Sequence, residues 1–243
     1  MTHDREVQPT RATIQVIYLS GVGLILLKVA SDLLAYPTAL TGEEPQTLIA
    51  LALLGLALLL YGWIASGRPH LDSASMPIAL RLGTILGLLC GAAWILELGI
   101  ANLNLLDPAH DRPAQVLYFG TTAAGMLLPV LAALLAARQT RQRRAGIVAG
   151  LRCGTLGGLL IFLAYTAMAT LLLQAGQQEP QTLREFQRSG LANLPTFIVG
   201  DYLAAMIAHL WIGLITGLVG GAIGGLFGQI MPRPPKALPR PQR

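Results

Sequence analysis

Lys28, Asp32, Glu97, Asp201 and His209 stand inside long apolar runs of this 243-residue chain, where nothing in the neighbouring sequence solvates a charge. Placing an ionised group in hydrocarbon costs roughly 2.5–3.5 kcal/mol on insertion scales, so such residues pair, line water or hold something. Lys28 and Asp32 are four apart on one helix face and can neutralise each other, although the lysine-first order is the weaker one. A second arrangement gathers Asp32, Glu97 and Asp201 with Lys28 around an outward-facing polar pocket, whose excess of carboxylate suits a cationic substrate or a proton-coupled site. A third leaves each acid separately at the membrane interface. His209 is the deepest of the set and shares a helix face with Gly213, Thr216 and Gly220, so it looks into helix packing and reads first as a hydrogen-bonded packing residue.

Other chemistries lack their residues. His70 and His110 fall in loops on opposite sides, so no second membrane histidine is available to hold a haem. Cys90 and Cys153 form no Cys-x-x-Cys pair, which leaves neither a thiolate metal site nor a disulfide framework in view. Gly200-Asp201 has no partner Tyr-Asp such as an intramembrane aspartyl protease uses, and no Gly-x-Ser-x-Gly, His-Glu-x-x-His or phosphate-binding loop is present. We expect no enzyme, no cofactor and no metal.

The elements that must position these residues are apolar helices. Charged residues make up 12% of the chain and hydrophobic ones 53%, against about 25% charged in a soluble domain. A span needs about 20 mostly apolar residues. Six runs qualify, at 12–36, 47–66, 76–101, 114–137, 145–175 and 196–230, after a short N-terminal segment 1–11. The first is read as a span rather than a signal peptide, because it carries Lys28 and Asp32 and no small-x-small cleavage site follows. Prolines punctuate the ends: Pro37 after the first run, Pro77 opening the third, Pro195 before the sixth. Glu-Pro-Gln-Thr-Leu occurs at 44–48, where it opens the second span, and again at 179–183. There, the capping-box spacing of Thr182 and Glu185 predicts a short surface helix with Leu183, Phe186 and Leu194 on one face. Residues 231–243, basic and interrupted by Pro232, Pro234 and Pro235, read as a disordered tail.

Basic residues assign the sides. Arg5 and Arg11, Arg68, the group Arg138, Arg141, Arg143 and Arg144, and the tail residues Arg233, Lys236, Arg240 and Arg243 occupy the termini and alternate loops. The other loops hold only Arg112, Arg184 and Arg188, among Glu43, Glu44, Asp107, Asp111, Glu179 and Glu185. The positive-inside rule then puts both termini in the cytoplasm of a bacterial inner membrane. The net charge of +5 reports on orientation and on lipid headgroups as partners, not on nucleic acid. Lys28, Asp32, Glu97 and Asp201 fall in the outer half. Arg81 and Arg152 sit at matching depths about 11–12 Å to the cytoplasmic side of mid-span, close enough for their side chains to snorkel to the headgroups.

Leu80-Arg-Leu-Gly-Thr-Ile-Leu-Gly-Leu-Leu89 matches Leu151-Arg-Cys-Gly-Thr-Leu-Gly-Gly-Leu-Leu160 except at Leu82/Cys153, Ile85/Leu156 and Leu86/Gly157. Both copies open an inside-to-outside span, so helices three–four and five–six read as duplicated hairpins in a bundle of three. Glycines recur every fourth residue: Gly83, Gly87 and Gly91; Gly146, Gly150, Gly154 and Gly158; Gly213, Gly217, Gly221 and Gly225. Each series is a helix face without side chains. In lipid, where no hydrophobic effect drives helices together, such faces let backbones pack closely. The expected fold is therefore an all-α, six-helix membrane bundle. The expected function is a structural or accessory subunit of a membrane assembly, with other subunits or a second copy as partner. The alternative is a small carrier with an outward-facing acidic pocket.

Overall fold

A computed structural model describes residues 4–35, 44–66, 74–102, 112–171, 177–178 and 180–232. The described residues are helical, without strands: α1 (Asp4–Ala35), α2 (Glu44–Ser66), α3 (Ser75–Asn102), α4 (Arg112–Thr140), α5 (Arg143–Leu171), α6 (Pro180–Ser189) and α7 (Leu194–Ile230). Four of them, α3, α4, α5 and α7, are long and apolar enough to cross a bilayer, while α1 and α2 carry shorter apolar stretches at Tyr18–Ser31 and Ile49–Ile64. Large apolar side chains point outward all round the molecule, Leu59 and Val116 being 73% exposed. Such a continuous apolar surface belongs against lipid; this is a helical membrane protein. The loops with Arg68, His70, Asp107, His110 and Asp111, and the tail from Arg233, lie outside the described residues.

Helices α3, α5, α7 and α4 form a ring in that order, with α4 and α5 also touching across it. The α1–α2 hairpin leans on α5 and α7 from one side. α5 is the centre: 61% of its apolar stretch is buried, against 33–39% in the other three. Its composition makes that place available, because glycine lets neighbouring backbones approach it. A methyl carbon placed on Gly146 would stand 2.6 Å from the Cα of Gly225, and one on Gly150 2.5 Å from that of Gly221. One on Gly154 would stand 2.7 Å from the Cα of Gly217, and one on Gly158 3.4 Å from that of Gly213. The two glycine series therefore run antiparallel, face to face. The α3 series meets an adjoining face of α5, with Gly83 against Ala149 and Arg152, Gly87 against Cys153 and Gly91 against Leu160. A further row on α7, Gly220, Gly224 and Gly228, takes in Val130, Ala133 and Ala137 of α4.

The repeated Arg-x-Gly-Thr segments lie side by side. Arg152 Nε donates to Thr84 Oγ1 at 2.9 Å, so this guanidinium follows the α3–α5 seam instead of rising to the headgroups, while Arg81 is exposed. The matching threonine, Thr155, is fully buried and shares a 2.6 Å hydrogen bond with Tyr18 of α1. Tyr61 of α2 donates to Leu210 O of α7 at 2.9 Å, and Trp211 Nε1 returns a bond to Leu53 O at 3.2 Å. The hairpin is thus attached by hydroxyl and indole groups whose alternative in lipid is no partner at all.

Pro129 is buried inside α4. It has no N–H for the carbonyl of Gly125 four residues earlier. The Cys90 thiol of α3 donates to that carbonyl at 3.3 Å, and the absent side chain of Gly125 leaves room for the Trp94 indole. A break in one helix is thereby closed by its neighbour.

The α4–α5 turn is tight, with Arg141 in the left-handed region at φ 61° and its N–H on Ala137 O at 2.8 Å. Arg141 Nη1 reaches Gln229 O and Arg138 Nε reaches Pro232 O, both at 2.8 Å. Arg141 therefore caps a C-terminal carbonyl of α7 and Arg138 holds the chain just beyond it, where a cation also complements the helix dipole. At the other end α7 opens on Asn193, whose side chain accepts from Thr196 N at 3.1 Å. α6 opens at Pro180, two residues before Thr182, so Pro180 rather than the threonine marks its start; Phe186 rests against Phe197 of α7, ring centres 5.8 Å apart.

Candidate functional site

Several polar residues of the apolar runs lie at the end of the ring away from the α4–α5 turn. Trp94 and Glu97 are three apart on α3 and share a face. Glu97 is half-buried, and the Tyr118 hydroxyl of α4 lies within hydrogen-bonding reach of its carboxylate. Tyr165 of α5, also half-buried, stands within electrostatic reach of Glu97, Tyr118, Asp201 and Tyr202. From α7, Tyr202 meets Tyr165 edge-on with ring centres 6.2 Å apart, and Asp201 beside it is exposed.

His209 sits one level deeper, half-buried between Tyr165 at 5.1 Å and Trp94 at 6.3 Å, centre to centre. Its Nδ1 lies 2.7 Å from Ala205 O. A carbonyl only accepts, so the proton is on Nδ1, and in the neutral ring Nε2 keeps its lone pair.

Four helices thus contribute to one cluster: carboxylates from α3 and α7, phenols from α4, α5 and α7, an indole and an imidazole. Tyr165 is the common neighbour of Glu97, Asp201 and His209. Lys28 is half-buried on α1, a helix that packs on α2 and α5 outside the ring, and the Asp32 side chain lies outside the described residues. Among the described residues no three metal-binding side chains are grouped to hold an ion. No family model, curated protein or solved structure matches the chain.

The packing glycines occupy the opposite half of the ring, nearer the α4–α5 turn. Sequence reasoning missed the aromatic members of the cluster, Trp94, Tyr118, Tyr165 and Tyr202. Tyrosine and tryptophan near span ends ordinarily read as interface anchors. The available signal was the three-residue spacing of Trp94 from Glu97, which ties an aromatic ring to an unpaired acid.

Proposed function

We propose that this chain is a six-span protein of a bacterial cytoplasmic membrane, with both termini on the cytoplasmic side, that serves as a structural or accessory subunit of a membrane assembly. The single observation that carries the subunit reading is the α5–α7 glycine seam. With glycines opposed layer after layer, the backbones of α5 and α7 touch directly through the half of the ring nearest the arginine turn and leave no room between them for a side chain. Such packing suits a rigid frame better than a conduit. The orientation rests on the arginines of the α4–α5 turn, and the six-span count on the apolar stretches of α1 and α2. The likeness of the two Arg-x-Gly-Thr segments supports a duplicated pair of hairpins, with α3 equivalent to α5 and α4 to α7.

A second reading, a small carrier with an outward-facing acidic pocket, is favoured by the placement of Glu97, Asp201 and His209 about Tyr165 at the end away from the arginines. Purifying the tagged full chain from its own host in mild detergent separates the two. The subunit reading expects one defined partner at fixed stoichiometry. A monodisperse free chain that catalyses uptake in proteoliposomes would overturn it in favour of the carrier. Reporter fusions at the C-terminus test the orientation; a fusion active only outside the cytoplasm would reverse it.

A further inference from the structure

We infer that the cluster around Tyr165, at the end of the ring away from the α4–α5 turn, is a binding site for an organic ammonium cation, held between the Glu97 carboxylate and the faces of Tyr118 and Tyr165. The site goes beyond the subunit reading and does not depend on it, since a ligand can bind without crossing the membrane.

Charge supplies the first reason. Among the described residues neither Glu97 nor Asp201 has a lysine or arginine partner; the charged neighbour that acts on Asp201 is another acid, Glu185 of α6. A half-buried carboxylate in an apolar bundle is costly while it stays uncompensated. Its remaining neighbours are phenols, which donate hydrogen bonds and bring no positive charge.

Geometry supplies the second. Glu97, Tyr118 and Tyr165 come from three different helices and interact with one another, yet all three remain half-exposed. Each of the three therefore offers surface that a ligand can reach. The aromatic rings beside the carboxylate present negative faces, which attract a cation within about 6 Å of the ring centre. His209 supports Tyr165 from one level deeper, ring centres 5.1 Å apart, and is itself fixed by the 2.7 Å contact of Nδ1 with Ala205 O.

The composition also selects the class of cation. A bare metal ion wants several oxygen or nitrogen ligands at fixed distances, and among the described residues no such group exists. An alkylammonium ion needs a countercharge and aromatic surface for its carbon-bound hydrogens, and both are present. Glu97 supplies the countercharge beside the rings, and Asp201 supplies an exposed second charge within reach of Tyr165.

The test uses the full chain in lipid nanodiscs, with choline as the probe and dimethylbutanol, its uncharged carbon isostere, as the control. Calorimetric titration is expected to show saturable choline binding and none of the isostere. Glu97→Gln is expected to weaken choline on the order of tenfold or more, and Tyr165→Leu several-fold, while Tyr165→Phe, which keeps the ring, retains binding. Unchanged thermal midpoints establish that the variants are folded. Equal binding of the isostere, unaltered choline affinity in Glu97→Gln, or no saturable binding to the wild-type chain would each overturn the site. The last result, accompanied by higher thermal stability of Glu97→Gln, would mean that Glu97 holds only a proton.

Discussion

Adding a single methyl group at Gly154 should loosen the whole core. The new carbon would stand 2.7 Å from both Cα and N of Gly217 and would also strike the Gly213 carbonyl. Carbon atoms rest about 3.5–4.0 Å apart, so the backbones of α5 and α7 must separate by roughly 1 Å at that layer. Neither can yield locally, because the obstructing atoms are main chain in regular helix. A gap of about 0.5–1 Å forfeits roughly a quarter to a half of each contact's attraction, and the layers at Gly150–Gly221 and Gly158–Gly213 share that loss. Overpacking of this kind costs about 1–3 kcal/mol. At about 2–4 °C per kcal/mol for a chain of this size, the apparent melting midpoint of Gly154→Ala should fall by roughly 2–12 °C. Gly154→Leu or Gly217→Leu should abolish the folded bundle. Gly23→Ala and Gly55→Ala are the controls, since a methyl at either position meets nothing within 4 Å; each should melt with the wild type or above it. The measurement is tryptophan fluorescence of the detergent-solubilised chain during heating, at one fixed scan rate. Coincident midpoints for Gly154→Ala and Gly23→Ala would refute the reasoning, because the seam would then be no more demanding than the lipid face.

Other perturbations probe separate joints. Tyr18→Phe and Tyr61→Phe each remove one buried hydroxyl contact of the α1–α2 hairpin and should each cost about 0.5–1.5 kcal/mol; the double variant should make α2 accessible to protease while the four-helix ring stays resistant. Cys90→Ala strands the Gly125 carbonyl that Pro129 leaves open and should destabilise the fold by about 1–3 kcal/mol, whereas Cys90→Ser, which keeps a donor, should be milder; equal loss in both would exclude the thiol–carbonyl account. At the α4–α5 turn Arg141 adopts φ 61°. Arg141→Gly loses the cap on Gln229 but relieves the left-handed backbone, so Arg141→Ala should be the less stable of the two by about 1 kcal/mol, a difference readable in the same melting assay. Thr84→Val removes the acceptor of Arg152 Nε and should cost about 1.5–3 kcal/mol; a variant as stable as wild type would mean that the guanidinium finds the headgroups just as readily.

Long apolar runs and their prolines were sufficient to locate α2 to α5 and α7 to within a few residues, because a span must satisfy its own backbone wherever it crosses lipid. The glycine faces were legible for the same local reason: residues four apart share a face whatever lies opposite. Which faces oppose each other was not legible. Nothing in the spacing says that Gly150 meets Gly221 and not another glycine of α7, since register is decided by the whole length of two helices. Arg152 misled for a related reason. Depth alone suggested that it reaches the headgroups, but the neighbouring copy of its own motif brings Thr84 within hydrogen-bonding distance, and a partner at hand competes with a longer route to water. The aromatic members of the cluster were hidden by their ordinary role at span ends. The pairing of Cys90 with a proline-broken helix required the third dimension outright.

The central place of α5 has a consequence for the order in which the protein is made. Its glycine face is covered by α7, and the chain from Leu171 to Ile230 must still be synthesised after α5 is complete. At about 5–20 residues per second that takes roughly 3–12 s. During this interval α5 sits in the membrane with a strip of bare backbone turned towards lipid or towards the insertion machinery. Helices already inserted can pair with it wrongly, through the glycines of α3 or of another nascent chain. Correct assembly therefore depends on α7 arriving before a competing partner does, and slowing translation between α5 and α7 should raise the yield of misassembled protein.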